Sequence, residues 1–324
     1  MTLKGKKVAV IGATGFIGSH LVDRLAFEGA DILAIARSEI RRQNLEDAGG
    51  RYEFAACDIV TSPDLNEIFL RARPEIVYLL AARPDSSESA EQIENCIKVN
   101  SLGTVRVLEA ARIAGVKRLV YGGSSKVFGH HSVPSTTRTA IAPISSYAIS
   151  KAAAWQSCTL YSLLYPIEVV CLHPAFVYGP RQNWNLVQYV QRCVEMNEPV
   201  RLQGGGQTRD PLYVGDVAQA YLDAGTVPGI NGSAIPVGGG VEFSVTDLVR
   251  RILTRLGAED TPIEIGGADP RPTEIWRNYT DNADAKKLLG WSPTVNFDAG
   301  LRLTIPDEAA KAGKLRHATV GGTA

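Results

Sequence analysis

Val8-Ala-Val-Ile11 runs directly into Gly12-Ala-Thr-Gly15-Phe-Ile-Gly18, and Ser19-His-Leu-Val-Asp-Arg-Leu25 then continues with apolar residues at helical spacing. This reads as a strand, a glycine turn and the start of a helix. The glycines permit a tight turn and a close backbone approach. The helix beyond them offers unpaired N–H groups and the positive end of its dipole to an anion. A dinucleotide pyrophosphate is the natural ligand of such a turn. Asp31-Ile-Leu-Ala-Ile-Ala36 follows at the interval expected of a second parallel strand.

Further strand-like runs lie at Tyr52 to Ala55, Ile76 to Leu80, Arg118 to Gly122 and Glu168 to Leu172, with helix-compatible segments between most of them. Strands alternating with helices predict an α/β fold, a Rossmann-like doubly wound parallel sheet covered on both faces. Lys98 to Ala114 and Tyr147 to Leu164 are the clearest long helices, and Gly115 marks a helix stop. After Pro174 the elements shorten and Gly and Pro increase, with a long irregular passage expected from Gly179 to Asp210. Val214 to Ala224 and Ala234 to Val237 read as a helix and a strand that return to the main sheet. The expected organisation is therefore a dinucleotide-binding lobe of residues 1–175 and 212–238. A smaller, discontinuous substrate lobe takes residues 176–211 and 239–305, and the small, polar, Gly-rich tail 306–324 is expected to be disordered.

The 324 residues carry 34 basic and 34 acidic side chains, so no global field draws in nucleic acid or an anionic membrane. No apolar stretch is long enough to span a bilayer, and Met1 to Lys7 runs into a strand instead of a cleavable apolar segment. Cys57, Cys96, Cys158, Cys171 and Cys193 lie far apart without metal or disulfide spacing, and His130-His131 forms no ligand set. These features predict a cytoplasmic protein with reduced thiols and no metal.

Tyr147-Ala-Ile-Ser-Lys151 places a phenol and an ammonium one helical turn apart on one face. A free tyrosine titrates near pH 10, so acting as a base at neutrality requires roughly 4 kcal/mol of phenolate stabilisation. A neighbouring cation supplies part of it. Bare spacing alone also fits a solvated helix surface. Ser124, twenty-three positions earlier at the end of a predicted strand, adds a hydroxyl to the pair.

Together, Gly123-Ser124-Ser125-Lys126-Val127-Phe128-Gly129, then Tyr147 and Lys151, then Val177-Tyr178-Gly179-Pro180-Arg181 resemble the extended short-chain dehydrogenase/reductase family, in its nucleotide-sugar epimerase/dehydratase branch. The resemblance covers about residues 5 to 303. It implies that Ser124 hydrogen-bonds the substrate oxygen, that Tyr147 is the acid/base, and that Lys151 holds the nicotinamide ribose while tuning Tyr147. It also implies a dinucleotide held against Gly12, Gly15, Phe16, Ile17, Arg37, Asp58, Ile59, Leu80, Ala81, Ala82 and Asn100. The substrate, a nucleoside diphosphate sugar, would meet Ser124, Ser125, Phe176 and a diphosphate clamp made of Arg209 and Arg271. Relatives commonly pair through the two long helices, which implies a homodimer.

The chain departs from the family pattern in three respects. Ala36 and Arg37 stand where NAD-using relatives carry an acidic residue for the ribose hydroxyls, a pattern that favours NADP(H), with NAD(H) possible. Ser125 and Lys126 replace the Asp-Glu pair with which dehydratases perform elimination, which argues against 4,6-dehydration. Phe176 occupies the place of a common asparagine and points to an unusual sugar. The leading expectation is a C4 epimerase working through a transient 4-keto sugar. An NADPH-dependent reductase of an NDP-4-keto-6-deoxy sugar is the alternative, and a non-catalytic dinucleotide sensor a third reading, disfavoured because Ser124, Tyr147 and Lys151 are all retained.

Overall fold

A computed structural model describes residues 3–84, 88–266 and 271–307. In chain order the first half contains β1 (Lys7–Ile11), α1 (Phe16–Phe27), β2 (Asp31–Ala36), β3 (Tyr52–Ala56), α2 (Leu65–Ala72), β4 (Ile76–Leu79), α3 (Ala90–Cys96), α4 (Gly103–Ala114), β5 (Arg118–Gly122), α5 (Ser146–Leu164) and β6 (Glu168–Pro174). The second half opens with β7 (Phe176–Tyr178), α6 (Leu186–Met196), β8 (Val200–Leu202), β9 (Thr208–Arg209), β10 (Pro211–Tyr213), α7 (Val214–Thr226) and β11 (Ala234–Val237). It closes with β12 (Phe243–Ser244), α8 (Val245–Leu256), β13 (Ile263–Ile265), β14 (Arg277–Asn278), α9 (Ala283–Leu289) and α10 (Phe297–Thr304).

Seven strands form one sheet in the order β3-β2-β1-β4-β5-β6-β11, and every pairing is parallel. Burial on both faces explains the unbroken apolar runs. In β1, Val8 and Val10 enter one core cluster while Ala9 and Ile11 enter the other. Strand order reverses between β1 and β4, and a crevice opens there at the strands' carboxyl ends, where ligands of such sheets collect. The doubly wound α/β reading of the sequence holds, and β11 joins the sheet edge as its spacing suggested.

Beyond β6, short strands and three helices surround a separate cluster that includes Tyr178, Val190, Leu248, Ile252 and Leu301. The passage from Gly179 to Asp210 is a correction: instead of being irregular throughout, it contains α6. Its signal was faint but physical. Asn185 caps the helix by accepting from Val187 N at 2.7 Å, and Val187, Val190 and Val194 make one buried stripe. Lys98 to Ala114 is also not a uniform α-helix, because Ile97–Leu102 forms a π-helical turn before α4 begins. Gly115 does end α4, at φ +71°. Ala285, Leu289 and Trp291, from the stretch assigned to the smaller lobe, join the core of the main sheet instead. Most of the 306–324 tail lies outside the described residues.

Candidate active site

The turn between β1 and α1 has the close contacts that its glycines anticipate. Gly12 adopts φ +87°, and a Cβ there would lie 2.7 Å from Ala81 N. At Gly18 a Cβ would lie 2.1 Å from the Gly12 carbonyl oxygen. Both must be glycine for turn, helix and β4 edge to meet this closely. Gly15 caps α1 without a side-chain hydrogen bond, so the first N–H groups, those of Phe16 and Ile17 among them, have no intrahelical partner. Beside them opens a cleft of about 550 Å³.

Gly12, Gly15, Arg37, Asp58, Ile59, Leu80, Ala81 and Ala82 all line this cleft, as the sequence predicted. Phe16 and Ile17, also expected there, are half-buried at the start of α1 and are not among the residues that line the cleft. The cradle fits a dinucleotide: a bare backbone stretch, a helix N-terminus and apolar walls in one crevice. Arg37 is exposed at the end of β2, and no carboxylate closes that strand. Asn100 does not line the cleft directly. It is 1% exposed, accepts from Arg83 N at 2.8 Å, and donates to Arg83 O and to Ser150 Oγ, and so fixes the cleft-lining loop. Its π-helical turn is the local distortion that brings it there.

Ser124, Tyr147 and Lys151 come together at the carboxyl end of β5. Ser124 lies beside the Tyr147 phenol, and its Oγ accepts from Lys126 N at 3.3 Å. Ser145 caps α5 by accepting from Ala148 N, which places Tyr147 in the first turn and Lys151 one turn on. The Lys151 Nζ donates to the Gly122 carbonyl at 2.5 Å and lies 6.0 Å from the Tyr147 ring centroid. Burial pushes the phenol up to about 12, opposed by the Ser124 hydrogen bond. Burial likewise brings Lys151 down to about 8. Each group is therefore closer to giving up its charge than it would be in water.

His173, which sequence reasoning missed, fixes Ser124 from behind. Ser124 N donates to His173 Nδ1 at 3.2 Å, which leaves Nε2 to face Cys171 Sγ at 3.5 Å. Burial holds this imidazole near 4, so it is neutral at physiological pH. A Cβ at Gly123 would lie 2.5 Å from His173 Nδ1, so the glycine before the serine is needed for this contact.

On the other side of the phenol, Lys126, Arg209, Arg271, Glu88 and Glu274 line a small pocket of about 60 Å³. The two predicted arginines do converge. Arg209 is pinned: it donates to Thr208 O and Ile275 O and pairs with Glu274, whereas Arg271 is exposed. Glu88 accepts from Ser146 N at 3.0 Å and so caps the catalytic helix.

Residues 8–232 match the family model described as the NAD-dependent epimerase/dehydratase family. This chain belongs to that family. It is 34% identical over 309 residues to a UDP-glucose 4-epimerase of Mycolicibacterium smegmatis, covering 92% of this chain and 97% of that one. Its fold matches that of a Thermus thermophilus UDP-glucose 4-epimerase complexed with NAD at a TM-score of 0.83, with 28% identity over 94% of this chain and 98% of the other. It also matches a Bacillus cereus UDP-glucuronic acid 4-epimerase in complex with UDP-glucuronic acid and NAD, at a TM-score of 0.85 and 25% identity, covering 94% and 99%.

Both of these solved family members hold NAD, so the preference for NADP(H) drawn from Arg37 gains no support from them, while dinucleotide binding does. Ser125 is 2% exposed and its Oγ accepts from Asn278 Nδ2 at 2.9 Å, so it braces β14. Phe176 is half-buried at the start of β7, paired with Pro211. All five cysteines are free and buried, and among the described residues no helix is long and apolar enough to cross a membrane.

Proposed function

We propose that this chain is a nucleotide-sugar epimerase acting at C4 through a transient 4-keto sugar. The observation that carries this reading is the Tyr147 phenol with Ser124 beside it and the Lys151 ammonium 6.0 Å from its ring, next to a glycine cradle that fits a dinucleotide. A bound nicotinamide dinucleotide would accept the sugar's hydride and return it to either face. Gly12, Gly15, the start of α1, Arg37, Asp58 and Leu80 to Ala82 would hold it, and NAD(H), found in the solved relatives, is the proposed occupant.

The chain's own groups handle the proton. As carbinol becomes ketone, the O–H proton passes to the Tyr147 oxygen, and the Ser124 hydroxyl donates to the developing carbonyl. Lys151 keeps the phenolate accessible through its charge. Arg209 and Arg271 hold the substrate diphosphate by charge-assisted hydrogen bonds. Elimination of water lacks its proton-handling groups, because Ser125 is buried and bonded and Lys126 is a cation. The segments 176–211 and 239–305 act as the substrate lobe, apart from the α9 stretch that packs on the main sheet.

Arg37 favours one second reading, an NADPH-dependent reductase of a 4-keto-6-deoxy sugar using the same three residues. The two separate in one assay: UDP-sugar is incubated with the purified protein while product and free dinucleotide are followed. Isomerisation without net dinucleotide loss supports the epimerase, and stoichiometric NADPH consumption refutes it.

The exposed apolar side chains Ile113, Ile149, Leu160 and Leu163 on α4 and α5 support a homodimer through these helices, and a monomer in sedimentation at micromolar concentration would count against it. Free buried thiols are compatible with a cytoplasmic setting, which fractionation tests.

A further inference from the structure

The epimerase reading leaves one cation in the cleft without a task. Lys126 follows Ser124 by two residues, in the 3₁₀ turn Ser125–Phe128, and its Nζ lies 5.9 Å from the Tyr147 ring centroid. Lys151 stands at 6.0 Å from the same ring, so two ammonium groups flank one phenol. They are used differently. Lys151 is buried and bonded to the Gly122 carbonyl, whereas Lys126 is open to the cleft and has no ion-pair partner among the described residues.

Position narrows what Lys126 can meet. On one side of it is the phenol, where the reacting carbinol must sit, and around it are Arg209 and Arg271, where the diphosphate must sit. Between those points lies the sugar, so Lys126 faces a substituent of the ring. The cleft walls desolvate it and hold it below the ordinary lysine range, Arg209 and Arg271 add to that, and Glu274 and Glu88 oppose it. Neither carboxylate forms an ion pair with it among the described residues: Glu274 pairs with Arg209, and Glu88 turns one oxygen to Ser146 N. A sugar hydroxyl would occupy one N–H and leave the charge uncompensated; a carboxylate would satisfy both.

We propose that Lys126 binds a carboxylate carried on the sugar beside the carbon that faces Tyr147, so that the preferred substrate is a nucleoside diphosphate hexuronate. This rests on the epimerase reading and names its substrate class. The competing role for Lys126 is a third arm of the diphosphate clamp, which would act alike on charged and neutral sugars.

The test compares UDP-glucuronic acid with UDP-glucose on holoenzyme, native and Lys126→Gln, by calorimetric affinity and by kcat/KM. The native protein should prefer the uronate. In K126Q the uronate-to-hexose ratio should fall about 10- to 100-fold, the size of a charged hydrogen bond, and Lys126→Arg should recover much of it. An unmoved ratio overturns the proposal, whether both substrates weaken together or neither does. The affinity arm separates this from the parent reading. Uronate binding that depends on Lys126 in a protein that isomerises neither sugar would sink the epimerase assignment and leave the carboxylate site standing. Isomerisation of both sugars, indifferent to Lys126, would do the reverse.

Discussion

Lys151→Met tests whether the ammonium beside the phenol tunes its chemistry or merely anchors a ligand. The substitution keeps the length of the side chain and removes its charge, leaving the Gly122 carbonyl without the donor it has at 2.5 Å. A unit charge 6.0 Å from the phenol ring is worth about 3 kcal/mol at an effective dielectric of about 20, or roughly two pH units on the phenol. Burial, opposed by Ser124, already holds Tyr147 at about 12, so losing a neighbouring cation should move the phenol in the same upward direction. The assay is kcat of the holoenzyme as a function of pH. Near neutrality the variant should be about 100-fold slower, with the rising limb that follows phenol ionisation displaced upward by about two units. The sign follows from Lys151 itself. Because its ammonium is brought down to about 8, the native advantage should be full below that pH and should narrow above it as the charge is lost. A variant profile of unchanged shape, lowered equally at every pH, would refute the tuning role and leave Lys151 as a ribose anchor. Thermal unfolding should accompany the assay, since an unpaired buried carbonyl costs about 1–3 kcal/mol.

Tyr147→Phe should remove turnover, about a thousand-fold or more in kcat, while circular dichroism and nucleotide-sugar affinity stay near native; a near-normal rate would rule out the phenol as acid/base. Arg37→Ala should weaken binding of NADP(H) about ten-fold or more relative to NAD(H) if the guanidinium meets a 2′-phosphate. Equal losses in titrations of both dinucleotides would show that Arg37 does not read that phosphate.

Much of this was legible from the chain because the responsible residues are local. The Val8 to Gly18 run specifies strand, turn and helix through burial, φ and close contact, all of which depend on neighbours in sequence. Helical spacing likewise put Tyr147 and Lys151 on one face of α5. What escaped depends on distant partners. His173 supports Ser124 only because β5 and β6 are adjacent, and nothing at position 173 announces that. The protein partners of Asn100 and Ser125 were equally hidden, because Ser150 and Asn278, which bond to them, lie 50 and 153 positions away. Lys126 registered only as a missing glutamate; its position beside Tyr147 became visible once the turn after β5 was folded against α5. Helix α6 was hidden by the Gly-, Pro- and Asn-rich stretch around it, although Asn185 and the Val187, Val190, Val194 stripe carry its signal.

The most direct test of the account follows the hydrogen at C4 of the sugar. Purified enzyme acts on a UDP-hexose deuterated at C4, and NMR then reads the label in substrate and product. Transfer out to the dinucleotide and back within one closed site predicts that the epimerised product keeps the deuterium at C4, with none washed into water and no net change in dinucleotide redox state. Loss of the label to solvent, or product formed only as dinucleotide is consumed, would contradict it.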